Sequence, residues 1–268
     1  MSDAAVTMPY ARASQRSRFS AEGFLALDSF TSLDDIARIR SLLDPLFDRF
    51  DSIGDRAADL AGPRAAGTPL RTPEINDTSV LVPELRRTET FERCRRLAHS
   101  LLGKPVCHVF DHAIYKPPHN LAATGWHQDE VYSKSVVPLR SIHFWIPLQA
   151  ATLENGCMWY IPGSHLHGLV PHRAAAIRTA GSSPHKVGTT FVVDSVDTSK
   201  AVICPIPAGG ATLHHSRTLH YAGPNESDDY RRAWILHFGP YGKWRYRLHP
   251  KNVQAKIRAL LTQTRFAR

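Results

Sequence analysis

The chain has 268 residues, of which 43% are hydrophobic and 21% charged, and its formal net charge is +9. These values predict one large core in an ordinary soluble protein. They exclude the usual pattern of a membrane-spanning protein, because no run of about 18 apolar residues occurs. The N-terminal segment has no apolar stretch typical of a secretory signal.

The basic residues are scattered, and no RNA-binding or helix-turn-helix signature accompanies them. We therefore interpret the charge as a solvated basic surface, and attraction of an anionic ligand stays open as an alternative. The cysteines show neither a CxxC pair nor the spacing of a zinc cage or disulfide framework. They predict buried, reduced thiols in a cytoplasmic protein. The scattered charge and the lack of an apolar span predict no nucleic-acid or membrane partner, and a small-molecule substrate is expected. The cysteines are Cys94, Cys107, Cys157 and Cys204.

A flexible terminus, a short strand and a helix are predicted at the start of the chain. Residues 1–18 read as the flexible terminus, and Phe24 to Leu27 as the strand. Ser32 can cap the helix because its side-chain oxygen can accept a backbone N–H of the first turn. Apolar residues then recur at helical spacing and form a predicted buried stripe. The stripe is Leu33, Ile36, Ile39, Leu42, Leu43, Leu46 and Phe50.

A loop and a second helix complete the predicted helical flank, which spans residues 32–104. Residues 51–72 are rich in Ala, Gly, Pro and Asp and read as the loop. Thr88 can cap a helix over residues 89–102, and Gly103 can end it.

From residue 105 onward, short β-rich runs alternate with turn residues. Asn155-Gly156 is a strong hairpin signal. Many short strands separated by turns predict a mainly β fold, either a sandwich or a barrel. The runs are Val106–Lys116, Ser141–Gln149, Cys157–Ile161, Phe191–Val193, Ala201–Ile206, Ala211–His215 and Arg232–Phe238.

One domain over residues 19–268 is the simplest organisation, with a β core over 105–240 and an amphipathic C-terminal helix over 250–266. No internal repeat is visible. Residues 166–200 have weak periodicity and read as an insertion, a kind of segment that often carries function.

The first candidate for chemistry is the segment Gly125-Trp126-His127-Gln128-Asp129. In an extended chain, side chains two residues apart point the same way. His127 and Asp129 can therefore present an imidazole and a carboxylate to one metal ion. With 15 histidines in the chain, this spacing alone is a weak signal, and a loop histidine beside an aspartate is the alternative.

The second candidate is His220, which is followed by the turn residues Gly223-Pro224-Asn225 and then Arg231. His220 ends one β-rich run and Arg231 begins the next, so a hairpin is predicted to bring the two side chains together. The planar guanidinium of arginine suits a bidentate grip on a carboxylate. Two His and one carboxylate form the ligand set of non-haem iron(II) oxygenases, whereas the HExxH motif of many zinc hydrolases is absent.

These motifs resemble the phytanoyl-CoA dioxygenase family, which includes ectoine hydroxylase and many bacterial natural-product oxygenases. They occur in the family's order over roughly residues 20–240, and their combination is far more specific than any one of them. The matching segments are Lys116-Pro117-Pro118, Trp126-His127-Gln128-Asp129, Trp145 to Leu148, Glu154-Asn155-Gly156-Cys157, Ile161-Pro162-Gly163-Ser164-His165, Leu219-His220, Gly223-Pro224-Asn225 and Arg231-Arg232.

The resemblance implies a mainly β fold with flanking helices, a double-stranded β-helix (cupin-like jelly roll). It also implies that His127, Asp129 and His220 are catalytic and ligate Fe(II), and that Arg231 binds the distal carboxylate of the cosubstrate 2-oxoglutarate. The reaction would consume O2 and release succinate and CO2 as a small-molecule metabolite is hydroxylated or otherwise oxidised. The retained Asp129 favours hydroxylation over halogenation, while desaturation, cyclisation and epimerisation stay open.

Further cofactor contacts are carried over from the family with less support. Trp145 would line the 2-oxoglutarate pocket, although a core aromatic is the alternative, and His112 would contact the cosubstrate. The chain departs from the family at Ala222, where a serine usually reaches the cosubstrate. Gln128 and Tyr132 flank the metal motif and could face the substrate.

Two alternatives concern the ligands and the function. His214 and His215 compete with His220 as distal ligand, but only His220 has Arg231 at the family spacing. An acyl-CoA hydroxylase of the same chemistry, or a non-catalytic cupin-like protein that binds a metal or ligand, remains possible. Substrate determinants are expected in residues 51–80, 130–140 and 166–200.

Overall fold

The computed structural model describes residues 11–62, 68–132, 140–175 and 190–240. Within these residues the α-helices are Ala13–Glu22 (α1), Leu33–Asp48 (α2), Thr78–Leu81 (α3) and Glu89–Leu102 (α4). The strands are Phe24–Leu27 (β1), Ala57–Asp59 (β2), Pro73–Asn76 (β3), Cys107–Lys116 (β4), Thr124–His127 (β5), Ile142–Pro147 (β6), Met158–Tyr160 (β7), Arg173–Ala174 (β8), Phe191–Val192 (β9), Val202–Cys204 (β10), Ala211–His215 (β11), His220–Ala222 (β12) and Arg231–Gly239 (β13).

The predicted caps of the two long helices are confirmed. The Ser32 side chain accepts the backbone N–H of Asp35 at 3.2 Å, and the Thr88 side chain accepts that of Phe91 at 3.3 Å. Gly103 ends α4 in the left-handed conformation. The predicted stripe of α2 is correct except at its start, because Leu33 is 63% exposed.

The predicted flexible terminus is too long, because α1 already begins at Ala13. The Gln15 side chain accepts the backbone N–H of Arg12 at 2.8 Å, which satisfies one of the free donors at the helix start. Phe19 is buried and anchors the helix, and Gly23 ends it with a φ of 83°. A single buried aromatic in a polar segment gave no periodic signal in the sequence.

The strands form two main antiparallel sheets, as the mainly β prediction requires. The large sheet has seven strands in the order β1-β11-β6-β13-β4-β3-β2, and the small sheet has four in the order β10-β7-β12-β5. Side chains from both sheets meet in one apolar cluster, in which the Phe24 ring stacks on Tyr160 at 4.6 Å. The sheets therefore face each other, with an interior between them.

Strand alternation gives the large sheet two different faces. In β13, Trp234, Leu236 and Phe238 are buried in the core that also contains α2 and α4. Ala233 and Ile235 lie between the two sheets instead. Arg231, in phase with them, therefore faces the interior.

The loop predicted over residues 51–72 contains β2, which pairs with β3 and extends the large sheet. Its sequence, Ala-Ala-Asp, carries no strand signal, so only the pairing with β3 reveals it. β8 and β9 pair within the predicted insertion. The helix predicted over 250–266 lies outside the described residues. None of the described helices has the length and apolar character needed to cross a bilayer.

Gly156 joins two of the motif turns by a very close backbone approach. Its φ is +84°, and an added Cβ would lie 2.4 Å from the carbonyl oxygen of Gly223 and 2.5 Å from that of Pro224. We expect Gly156→Ala to lower the free energy of unfolding by more than about 1 kcal/mol, measured by urea denaturation. Gly54→Ala is the matched control, because Gly54 has a φ of +72° and no neighbour within 4 Å. Equal losses in the two variants would contradict a role for the close approach.

Candidate active site

The two sheets bring His127, Asp129 and His220 together in the interior. His127 ends β5 and pairs directly with His220 in β12, and Asp129 begins a single 3-10 turn after β5. Asp129 Oδ1 lies 3.4 Å from His127 Nε2 and 3.5 Å from His220 Nε2. Both rings are buried, so the three donor atoms share one enclosed point.

Backbone carbonyls fix which nitrogen of each ring faces that point. His127 Nδ1 lies 2.8 Å from the carbonyl oxygen of Gly125, and His220 Nδ1 lies 2.9 Å from that of Thr218. A carbonyl can only accept, so both Nδ1 atoms carry the proton. The two Nε2 lone pairs are therefore left for a ligand, which is the usual arrangement of metal-binding histidines.

The protonation states of Asp129 and His127 suit metal binding. Burial alone would raise the pKa of Asp129, but His220 and His143 lower it well below its ordinary range. Burial and the neighbouring His220 lower the pKa of His127. Asp129 is therefore an anion and His127 a neutral ring at neutral pH, as metal ligation requires. For His220, burial lowers the pKa but the neighbouring Asp129 raises it overall, so a metal ion would take the place of a proton on that ring.

The second oxygen of Asp129 is occupied by two histidines of the large sheet. Oδ2 accepts a hydrogen bond from His214 Nε2 at 2.8 Å and lies 2.6 Å from His143 Nδ1. Metal–ligand bonds of about 2.1 Å at right angles separate two donor atoms by about 3 Å. The 3.4–3.5 Å separations at Oδ1 leave room for an ion, whereas 2.6–2.8 Å are direct contact distances. We therefore distinguish a metal-binding oxygen, Oδ1, from an anchored one, Oδ2.

This geometry bears on the competing histidines. His214 faces the site, but its Nε2 is hydrogen-bonded to Asp129 Oδ2. His215 is the next residue of β11, so its side chain points to the other face of the sheet. It pairs there with Ile142 of β6. Neither presents a free nitrogen beside Asp129 Oδ1, where His127 and His220 do.

Arg231 is brought to the interior differently from the prediction. The expected hairpin with His220 is wrong, because β12 belongs to the small sheet and β13 to the large one, so residues 223–230 cross between them. The Arg231 side chain is buried, and its guanidinium carbon lies 5.5 Å from the centre of the Trp145 ring.

The Arg231 guanidinium is a buried cation that forms no ion pair with an acidic side chain among the described residues. Its Nε has no hydrogen-bond partner in the described part of the chain. Burial lowers its pKa to about 10, so it stays charged at neutral pH. Lys116 of β4 pairs with Arg231 of β13 and is fully buried. Its Nζ donates a hydrogen bond to the carbonyl oxygen of Gly223 at 2.7 Å. Buried charges are normally paired, so this end of the interior is built to receive an anion.

Trp145 and His112 lie in one row across the large sheet, each beside Ile235 of β13. Trp145 is 4% exposed and lies beside Arg231. His112 places its Nδ1 2.6 Å from Glu74 Oε1. Both therefore face the interior, and their contacts to a cosubstrate stay predictions.

Gln128 and Tyr132 differ in their availability to a substrate. Gln128 is fully buried, and its side chain bonds the backbone of Gly168, Val170 and Arg217 at 2.6–2.8 Å. The predicted substrate contact of Gln128 is therefore not supported, because strand alternation turns it away from His127. Tyr132 is 46% exposed with its ring centre 6.0 Å from that of His127, so its substrate role stays a prediction.

The sequence did not single out His143 and His237. The two rings are in contact, with centres 3.7 Å apart and planes tilted by 35°, and the His237 ring centre lies 5.4 Å from that of His112. All three occupy inward positions of neighbouring strands. Histidines at inward positions of three separate runs were the available signal, but only the strand register shows that the three rings adjoin one another and that His143 contacts Asp129.

Comparison with known proteins places the chain in a family. The phytanoyl-CoA dioxygenase (PhyH) family model matches residues 19–233. A phytanoyl-CoA dioxygenase domain-containing protein 1 of Bos taurus is 29% identical over 263 residues, which cover 84% of this chain and 88% of that protein. A probable alpha-ketoglutarate-dependent hypophosphite dioxygenase of Stutzerimonas stutzeri is 25% identical over 238 residues, which cover 87% of this chain and 80% of that protein.

Among solved structures, EvdO2 from Micromonospora carbonacea var. aurantiaca, complexed with 2-oxoglutarate, is 33% identical with a TM-score of 0.68, covering 85% of this chain and 91% of that chain. This likeness confirms the predicted jelly-roll fold. Because the family model spans most of the sequence, the chain belongs to the phytanoyl-CoA dioxygenase family.

Proposed function

We propose that this protein oxidises a small-molecule metabolite, by hydroxylation or a related reaction, at the His127–Asp129–His220 site. As a member of its family, the chain is an iron(II)- and 2-oxoglutarate-dependent dioxygenase. The observation that carries the proposal is the meeting of the three donor atoms within 4.8 Å of one another. Two His and one carboxylate leave coordination positions open for the cosubstrate and oxygen.

The three side chains fit iron(II) by their chemistry. His127 and His220 would offer Nε2, and Asp129 would offer Oδ1. Bound iron, with 2-oxoglutarate and O2, supplies the oxidising power that no protein side chain has. The chain itself supplies fixed ligand orientation, because both ring tautomers and the second carboxylate oxygen are held by neighbours.

Arg231 fits the distal carboxylate of 2-oxoglutarate. A carboxylate there would neutralise the buried guanidinium and occupy its donors in a bidentate manner. Trp145, whose ring centre lies 5.5 Å from the guanidinium carbon, would shield this ion pair from water and so strengthen it. Succinate and CO2 would be the products derived from the cosubstrate.

The function is tested by succinate formation with Fe(II), 2-oxoglutarate and O2 across a panel of candidate metabolites. We expect iron-dependent succinate that rises when the right metabolite is added. Tight iron binding without succinate in any reaction would favour the non-catalytic rival. Stabilisation of the protein by CoA esters in a thermal shift assay would favour the acyl-CoA hydroxylase.

The anchoring of Asp129 Oδ2 gives a separate prediction. His143→Leu should weaken Fe(II) or Co(II) binding by about 10–100-fold, the usual effect of removing the outer partner of a ligand. His143→Asn should retain most of the affinity, because an asparagine amide can replace Nδ1. His215→Leu is the matched control in the same pair of strands. Metal titration with a parallel thermal melt checks the prediction, and equal affinities of the His143→Leu and His215→Leu proteins would contradict it.

A further inference from the structure

A second carboxylate, Glu74, lies inside the jelly roll. It lies in β3 and is 6% exposed. The next residue, Ile75, packs in the core on the helix side of the sheet, so its neighbours Glu74 and Asn76 point to the opposite face, which is the interior. Glu74 Oε1 lies 2.6 Å from His112 Nδ1, and Oε2 accepts from Asn76 Nδ2 at 3.3 Å. This buried acid is not one of the three predicted iron ligands.

A short series of ring contacts connects Glu74 with the candidate iron site. The His112 and His237 ring centres lie 5.4 Å apart, those of His237 and His143 lie 3.7 Å apart with the planes tilted, and His143 Nδ1 lies 2.6 Å from Asp129 Oδ2. We call Glu74, Asn76, His112 and His237 the polar wall. It forms the β3–β4 side of the interior, next to the iron site.

The polar wall adjoins the reacting centre through His143, which contacts both His237 and Asp129. Tyr132, in the 3-10 turn that begins at Asp129, also lies next to this centre, with its ring centre 6.0 Å from that of His127. A substrate must lie near the same centre for its C–H bond to reach the iron.

The polar wall has unused hydrogen-bonding capacity. His237 Nε2 is buried without a partner among the described residues. Within the same residues, Glu74 makes an ion-pair contact with His112 and with no Lys or Arg. Each carboxylate oxygen can accept two hydrogen bonds, so Glu74 can accept more than it does. An alkyl chain packed here would leave these groups unsatisfied, which is unfavourable in a buried site.

We propose that the polar wall binds hydroxyl or ammonium groups of the substrate, with Glu74 as the main acceptor. The substrate is then a polyhydroxylated or amino-bearing metabolite rather than a long-chain acyl-CoA. Such donors complete the bonding of Glu74 and His237, and the negative charge of Glu74 disfavours an anionic thioester carrier. This inference rests on the proposed oxygenase function.

The first test compares probes on the protein with Fe(II) and 2-oxoglutarate. The probes are monosaccharides with only hydroxyl groups, their amino-sugar counterparts, and palmitoyl-CoA. We expect succinate formation above the substrate-free rate with at least one polar probe and no stimulation by palmitoyl-CoA. A preference for amino sugars assigns an ammonium group, and equal response assigns hydroxyls. Stimulation by palmitoyl-CoA, or by no polar probe, overturns the inference.

The second test uses Glu74→Gln, which keeps the shape and removes the charge. We expect the KM for the stimulating polar probe to rise about tenfold or more. The KM for 2-oxoglutarate, measured in the same variant, is the internal reference for this rise. Glu84→Gln, at an exposed position, is the matched control and should leave both values unchanged. His237→Phe, which keeps a ring but removes its nitrogens, should also raise the probe KM if Glu74→Gln does not fold. An unchanged probe KM in the folded variants overturns the inference.

A failure of the oxygenase function and a failure of the polar wall assignment give different results. Substrate-free, iron-dependent succinate formation by the unmodified protein tests the oxygenase function alone. If it occurs while polar probes fail, only the polar wall assignment is lost. If no iron-dependent succinate forms under any condition, the oxygenase function itself is lost.

Discussion

Asp129→Ala is expected to abolish substrate-dependent succinate formation. The substitution removes the only carboxylate whose oxygen lies within 3.5 Å of both His127 Nε2 and His220 Nε2 in the described structure. Loss of an outer partner of a ligand already weakens metal binding or activity by about 10–100-fold. Removing the ligand itself should therefore lower both the iron affinity and the rate of succinate formation by more than about a hundredfold. His220→Ala should behave in the same way.

Two comparisons separate this loss from general damage to the fold. Asp129→Asn retains the shape and can still meet His143 and His214, so it tests the charge alone. His215→Ala removes an imidazole from the same strand as His214 but from the opposite face, and it should retain both iron binding and turnover. Wild-type iron affinity in the Asp129→Ala protein would show that the metal binds elsewhere.

Local sequence signals predicted the local structure well. Helix α4 begins and ends where Thr88 and Gly103 indicated, since capping depends on residues within one turn. β11 matches the predicted run, and most of the other β-rich runs differ by one or two residues at each end. Ala57–Asp59 was missed because its strand state depends on pairing with β3, a neighbour that the sequence does not reveal.

The candidate site was predictable where its residues are close in sequence. His127 and Asp129 share a face because they are two residues apart, a local property. The structure buries both His220 and Arg231, but the hairpin that was predicted to join them is wrong. The turn motif Gly223-Pro224-Asn225 begins a crossing between sheets, and crossing and hairpin connections have similar turn residues.

The surroundings of the site were not predictable from spacing. His143 and His214 meet Asp129 because β6 and β11 pair in one particular register. A shift of one residue would send both side chains to the other face. Glu74 reaches His112 through the pairing of β3 with β4, across a long separation in sequence. Such contacts depend on the assembled sheet, which is why the sequence predicts candidate ligands but not the residues that orient them.

Arg231→Ala is expected to raise the 2-oxoglutarate requirement more than it lowers the maximal rate. The guanidinium is buried, and no described residue bonds its Nε, so it is available for the distal carboxylate. Removing one partner of a buried charge pair costs about 2–5 kcal/mol, equivalent to an increase in KM of roughly 30-fold to several thousandfold. Succinate formation measured against 2-oxoglutarate concentration gives this value directly.

The neighbouring arginine provides the control for this prediction. Arg232 points to the other face of β13, where its guanidinium lies 5.6 Å from the Tyr115 ring centre and 3.5 Å from Asp44. Arg232→Ala should leave the KM for 2-oxoglutarate unchanged, because only a partly exposed ion pair is lost. Arg231→Lys should restore charge but not the two-point geometry, and so give an intermediate KM. A wild-type KM in Arg231→Ala would mean that another residue binds the cosubstrate carboxylate. The adjacent, fully buried Lys116, whose pKa burial and Arg231 lower well below its ordinary value, would be the residue to replace next.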